Sequence, residues 1–220
     1  MSFGFGFIVE VCGEYALFTR PELKVERVSY EVITPSAARG LFEAVMWKPA
    51  IKYFIDEIAV CSEIKLENIR RNEVDFKISI GSMSPKSAVE GRQQRAALVL
   101  KDVRYVITAH FEMTDRAEAL DNEGKFTEMI SRRLKNGQNF HTPYLGTREF
   151  PAKIRLIEDD EIAPEPINET RSLGLMFYDM DYVTEKDKAG DTIIKEFLPK
   201  YFMAKMEKGV IDLRNVEVMR

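Results

Sequence analysis

The sequence predicts an α+β protein, and three observations carry the prediction. Apolar residues alternate with period two in several stretches, two other stretches carry helical periodicity between start and stop signals, and strand patterns separate those two helices. In chain order the elements read β-α-β-β-α-β over residues 1–155, and a shorter β-rich stretch covers 156–220.

Phe3, Phe5, Phe7, Val9 and Val11 alternate with small or polar residues, which predicts a first strand over Met1–Val11. A helix follows at Thr34–Lys48. Thr34 or Ser36 caps it, Pro35 is tolerated because its missing N–H has no intrahelical partner, and Pro49 stops propagation. On a helical wheel Ala37, Ala38, Leu41, Phe42, Ala44 and Val45 fill one arc of about 160°. Arg39, Glu43 and Trp47 lie outside that arc, and Met46 sits at its border. Strands are predicted near Phe54–Ile64 and over Val74–Ile80, followed by a small polar loop at Gly81–Gly91. Arg92–Leu100, a turn at Lys101-Asp102, and Val103–Met113 read as a hairpin. Its second strand points Val103, Tyr105, Ile107, Ala109 and Phe111 one way and Arg104, Thr108 and His110 the other.

The second helix spans Asn122–Asn136, with Asp121 or Asn122 as cap, Gly137 as stop, and Phe126, Met129, Ile130, Arg133 and Leu134 on its inner arc. Tyr144–Ile154 is the strand expected after it. The whole series is the pattern of a ferredoxin-like (RRM-like) domain with an inserted β-hairpin. The acidic stretch Glu158–Glu169, with Pro164 and Pro166, is the junction to a small β-rich C-terminal subdomain of Leu173–Tyr182, Ile193–Met206 and Val210–Leu213.

Composition narrows the function. The chain has 220 residues, 45% hydrophobic and 31% charged, with a formal net charge of −4. That balance excludes a protein that coats nucleic acid over its whole surface but leaves room for a local basic groove. Cys12 and Cys61 each lie in an apolar run and read as buried thiols, too few for a disulfide framework or a zinc site. No signal-peptide pattern and no apolar run near the roughly 20 residues of a membrane span are present, so a cytoplasmic protein is expected. There is no phosphate-binding glycine loop, nucleophile elbow or zinc-protease motif, and two histidines give no metal-ligand spacing. Neither metal nor cofactor is expected.

Four blocks carry a resemblance: Gly13–Ile58, Leu100–Met113, Asp121–Gly137 and Tyr144–Phe150. In order and spacing they resemble the CRISPR-associated Cas family-five proteins of the Dvulg branch (type I, subtype C). The resemblance implies a ferredoxin-like RNA-binding subunit of a CRISPR complex. It further implies a metal-independent endoribonuclease that cuts the CRISPR repeat transcript and stays on the 5′ handle of the guide RNA. In such chemistry the ribose 2′-OH attacks the adjacent phosphate, which requires a base, a cation for the developing charge and an acid for the leaving oxygen.

Members of that family carry a Tyr at the position of Met46 and a Lys-His pair at Lys125-Phe126. Met and Phe exchange no protons, so the resemblance assigns catalysis to Lys125 alone, as a cation near the phosphate or, with a lowered pKa, as an acid or base. His141 falls about 20 Å from Lys125 by the helical rise. The residues that the family context and local charge nominate for RNA contact are Arg20, Lys24, Arg27, Arg39, Trp47, Lys48, His110, Arg132 and Arg148. Trp47 reads either as a base-stacking or as a packing residue, and His110 as a ligand or as a structural hydrogen-bonding histidine. The implied partners are repeat and guide RNA and other subunits of the interference complex, with duplex DNA as a further one. A non-catalytic RNA-binding scaffold is the competing reading.

Overall fold

The computed structural model describes residues 6–23, 25–76, 87, 89–186 and 192–220. Lys24, the front of the predicted first strand, the end of the predicted Val74–Ile80 strand and most of the polar loop at 81–91 lie outside the described residues. The elements are β1 (Gly6–Ala16), β2 (Arg27–Val28), α1 (Pro35–Val45), β3 (Ile51–Val60), β4 (Lys65–Val74), β5 (Arg92–Met113), α2 (Glu123–Lys135), β6 (Lys153–Leu156), β7 (Arg171–Lys186), β8 (Thr192–Met206) and β9 (Val210–Asp212). The fold is α+β: an antiparallel sheet in the order β6-β1-β5-β3-β9, two helices, and a separate two-stranded β7-β8 sheet. No helix among the described residues is long and apolar enough to cross a membrane.

Period-two alternation decides which face of the sheet is covered. Phe7, Val9 and Val11 of β1 and Val103, Tyr105, Ile107, Ala109 and Phe111 of β5 are buried against Leu41, Phe42 and Val45 of α1 and Phe126, Ile130 and Leu134 of α2. Aromatic rings join the layers: Phe111 meets Phe7 at 6.2 Å, Tyr53 at 6.4 Å and Phe126 at 6.4 Å. On the opposite face Glu10 is buried between Arg104 and Arg155, whose guanidinium groups each donate to it at 2.6 Å. Ile157 packs there with Ala59 and Val106.

Three sequence expectations need correction. The hairpin expected within Arg92–Met113 is one continuous strand. Asp102 adopts φ 51°, a conformation that Asp tolerates better than most residues, and kinks the strand without reversing it. β1 crosses the kink in one register, from Gly6 opposite His110 to Ala16 opposite Leu100, and so holds the two sides in line. The hairpin is instead β4 with β5, running from Lys65–Lys101 to Val74–Arg92, so the strand expected from Val74 onward begins at Lys65.

The strand expected at Tyr144–Ile154 is mostly a loop. Gly146 takes φ 83°, Phe150 N–H bonds back to Thr147, and only Lys153–Leu156 joins the sheet.

The first helix ends at Val45, three residues early. Its terminal carbonyls are taken by tertiary donors: Ala44 accepts from the N–H groups of Phe140 and His141, and Val45 from Arg133 Nη1 at 2.8 Å. Lys48, before Pro49, is also biased away from helix.

The β7-β8 hairpin joins the core through Met176, Phe202, Ala204 and Met206. Arg39 of α1 fastens it, donating from Nε and Nη2 to Asp179 at 3.2 and 2.8 Å, and it also pairs with Glu43. Because the pair is mostly withdrawn from solvent, Arg39→Ala leaves Asp179 uncompensated. The expected cost is about 1–3 kcal/mol in urea unfolding. An unchanged unfolding midpoint together with weakened RNA binding would show that the Arg39 charge serves RNA and not the hairpin.

Candidate nucleic-acid interface

The start of α2 is set by its apolar face. Asn122 caps the helix, its side chain accepting from Lys125 N–H at 2.9 Å. Burial of Phe126 stabilises by about 1.5–3 kcal/mol, which outweighs the roughly 0.3–1 kcal/mol that the helix dipole charges a cation in the first turn. Lys125 is thus carried into a position its own charge disfavours. It pairs with Asp121 through Nζ at 2.8 Å. The Lys125 hydrogen bond, with a further one from the Glu118 N–H and the charge of Lys48, holds the Asp121 carboxyl below the usual carboxylate range. Asp121 is therefore an anion at neutral pH and no proton donor.

Lys125 opens onto a cleft of about 300 Å³ shared with Lys48, Arg116, Glu118 and Asp121. Three cations face two carboxylates there, a balance that accepts a phosphate. The two neighbouring positions nominated by alignment are closed. Phe126 packs edge-on against Phe111, and Met46 is 1% exposed with its carbonyl accepting from Tyr53 Oη at 2.9 Å. The helical wheel puts Met46 at the border of the apolar arc; it lies past the helix end, in extended backbone, inside the core.

A second surface lies around the C-terminal end of α1. Trp47 is 55% exposed, and the bonds of Phe140 and His141 to Ala44 bring the 140–148 loop beside it. His141, Thr142, Tyr144 and Arg148 line a groove of about 330 Å³ in which the His141 and Tyr144 rings stack at 6.3 Å. His141 is thus in the loop beyond α2's C-terminal end, and Lys125 is in α2's first turn.

The remaining nominated residues are dispersed. Arg20 stands 4.6 Å over the Tyr30 ring and 3.8 Å from Glu22, and Arg27 pairs with Glu73 at 3.4 Å. Arg132 and Arg148 are exposed, and Lys48 too; none has an ion pair among the described residues. Arg39 is committed to Asp179. His110 lies on the sheet face away from the helices, its Nδ1 2.9 Å from the carboxylate of buried Asp56, its ring stacked on Phe54 at 5.4 Å. The structure therefore brings Lys125 together with Lys48, and it places Trp47 beside the loop that carries Arg148; His110 joins neither. Sequence reasoning missed Arg116, Phe140 and Tyr144. Arg116 lies between the end of β5 at Met113 and the Asn122 cap, in a connection with no motif to single it out.

A family profile described as CRISPR-associated protein (Cas_Cas5), the Cas5d type, matches residues 6–214. The chain belongs to the Cas5d family. Within it, the chain is 46% identical over 222 residues to a protein of Mannheimia succiniciproducens named CRISPR pre-crRNA endoribonuclease Cas5d, covering 93% of each chain. A Thermus thermophilus protein of the same name is 42% identical over 213 residues, covering 93% of this chain and 90% of its own. Two solved structures share the fold at 22% identity. A CRISPR-associated protein superposes with a TM-score of 0.68, covering 98% of this chain and 96% of its own. A functionally uncharacterized protein of Streptococcus mutans superposes with 0.67, covering 96% and 92%.

Burial makes the Cas5d positions at 46 and 126 testable. Met46→Tyr and Phe126→His each place a polar group in a filled core and should cost about 1–3 kcal/mol. Unchanged denaturation midpoints for both would show that these side chains reach solvent.

Proposed function

We propose that this chain is an endoribonuclease that cuts CRISPR precursor RNA. The observation that supports it most is the match, over nearly the whole chain, to two relatives that carry that activity in their names. The strand order β6-β1-β5-β3 under two helices reads as the ferredoxin-like platform expected from the sequence, with residues 156–220 as its β-rich extension.

On this reading a repeat-RNA phosphate enters the cleft of Lys48, Arg116 and Lys125. Solvent water takes the proton of the 2′-OH as its oxygen bonds to the neighbouring phosphorus, the P–O5′ bond breaks, and the leaving O5′ takes a proton from water, leaving a cyclic phosphate and a 5′-OH. Lys125 acts as a charge and moves no proton: its ammonium, held by ionised Asp121, neutralises the oxygens of the crowded phosphorus. The reaction as written needs no metal. The cut guide RNA then stays bound through Arg20, Arg27, Trp47, Arg132 and Arg148, and other subunits of the interference complex join it.

A second reading, a non-catalytic RNA scaffold, is favoured by one observation: the two positions aligned with proton-handling residues are apolar and buried.

One assay separates the two. End-labelled repeat RNA incubated with pure protein in EDTA should yield a single cut with cyclic-phosphate and 5′-OH ends. Lys125→Ala should slow it by about 10²-fold. Tight binding of intact repeat without any cut would establish the scaffold and remove the enzyme.

A further inference from the structure

A cleft of about 370 Å³ lies between the N-terminal turn of α1 and the loop around Gly146, away from Lys125. Its floor is apolar, with Leu17, Phe18 and Tyr30 buried. Two partly exposed rings, Tyr144 and Phe177, form its walls, and Ser36 offers a hydroxyl from the helix. Among the described residues neither that hydroxyl nor the Tyr144 phenol has a hydrogen-bond partner. Both line the hollow together with Thr19 and Thr34, so polar groups edge its apolar floor.

The cleft is rigid where it needs to be. At Gly146, with φ 83°, any Cβ would collide with the Leu17 carbonyl, so the loop is pressed against the floor and cannot carry another residue there. On the helix side Gly40 also lines the hollow, and a Cβ built on it meets nothing within 4 Å. Glycine in a helix interior is unfavourable, so this one has left open the space that a side chain would fill.

Charge is arranged around the mouth and not inside. Arg20, which is not part of the lining, stands 4.6 Å over the ring of Tyr30, and the exposed Arg148 lies in the groove that shares Tyr144 with this cleft. Aromatic walls with free hydroxyls suit a flat heteroaromatic ring with polar edges, and cations on either side suit phosphates attached to it. The volume falls at the lower end of ligand sites and is ample for one base.

We propose that this cleft takes one unpaired, unstacked base of the bound RNA, with the flanking phosphates on Arg20 and Arg148. The inference rests on the RNA-binding part of the function proposed above, and names the substrate feature that this surface recognises: a single flipped-out nucleotide.

The test is abasic scanning of the repeat RNA against the full chain and against Gly40→Leu, which fills the cleft with a better helix former. Wild type should lose about tenfold or more in affinity at one abasic position, and Gly40→Leu should bind intact RNA as weakly and show no further loss at that position. Tyr144→Ala, acting from the opposite wall, should repeat the pattern if Gly40→Leu proves poorly folded by circular dichroism.

Equal losses for all proteins at every abasic position, or full affinity in both variants, would overturn the base pocket while leaving RNA binding intact. Tight binding of a free mononucleotide by wild type alone, with no abasic-sensitive position, would reassign the cleft to free nucleotides and overturn it too. A wild-type protein that binds no repeat RNA removes both the pocket and the reading beneath it.

Discussion

The structure depends on one strand. β5 runs 22 residues and hydrogen-bonds to four others: β1 over its middle, from Leu100 to His110, β3 on its second half, β4 and β2 on its first. The kink at Asp102 shifts its alternation: Leu100 before the kink and Val103, Tyr105, Ile107 and Phe111 after it face the same core, and Ala97 and Val99 pack in a separate cluster with Leu17. A one-residue slip would turn each of these side chains to the other face. The helices are located by that face, and the surfaces that meet RNA in the proposed function are located by the helices.

Helix ends do most of the positioning. An α-helix leaves its last carbonyls without intrahelical partners, and in α1 these are met by the loop after α2 and by Arg133. One arrangement therefore caps a helix, brings Phe140 and His141 next to Trp47, and fixes how α2 lies against α1. At the other end of α2 the Asn122 cap holds Lys125 at the rim of a cleft. Cations that look scattered along the chain acquire their neighbours through backbone bonds that no charge pattern announces.

The residues that departed from expectation did so for common reasons. Arg39 and His110 carry groups that could bind RNA, but each faces a carboxylate that folding withdraws from water, Asp179 and Asp56. An uncompensated buried carboxylate costs more than an exposed phosphate contact returns, so the internal partner is met first. Phe126 was legible as a core residue from the inner arc of its helix; the depth of Met46's burial was not, because Met46 enters the core only after the helix has ended. The Lys101-Asp102 turn was misjudged because local residue types suit a turn and a left-handed kink equally well. Only the pairing of β1 across the kink distinguishes them.

Alternation, caps and breakers were enough, by themselves, to place both helices, most strands and the residues that face the core, because these depend on period and on local backbone chemistry. The spacing of four blocks was enough to point to the family. Which cations share a cleft, which are spent on buried carboxylates, where the long strand changes partners, and the hollow beside Gly40 and Gly146 were decided by tertiary structure. Those features arise from contacts between residues far apart in the chain, and no local pattern encodes the distance between them.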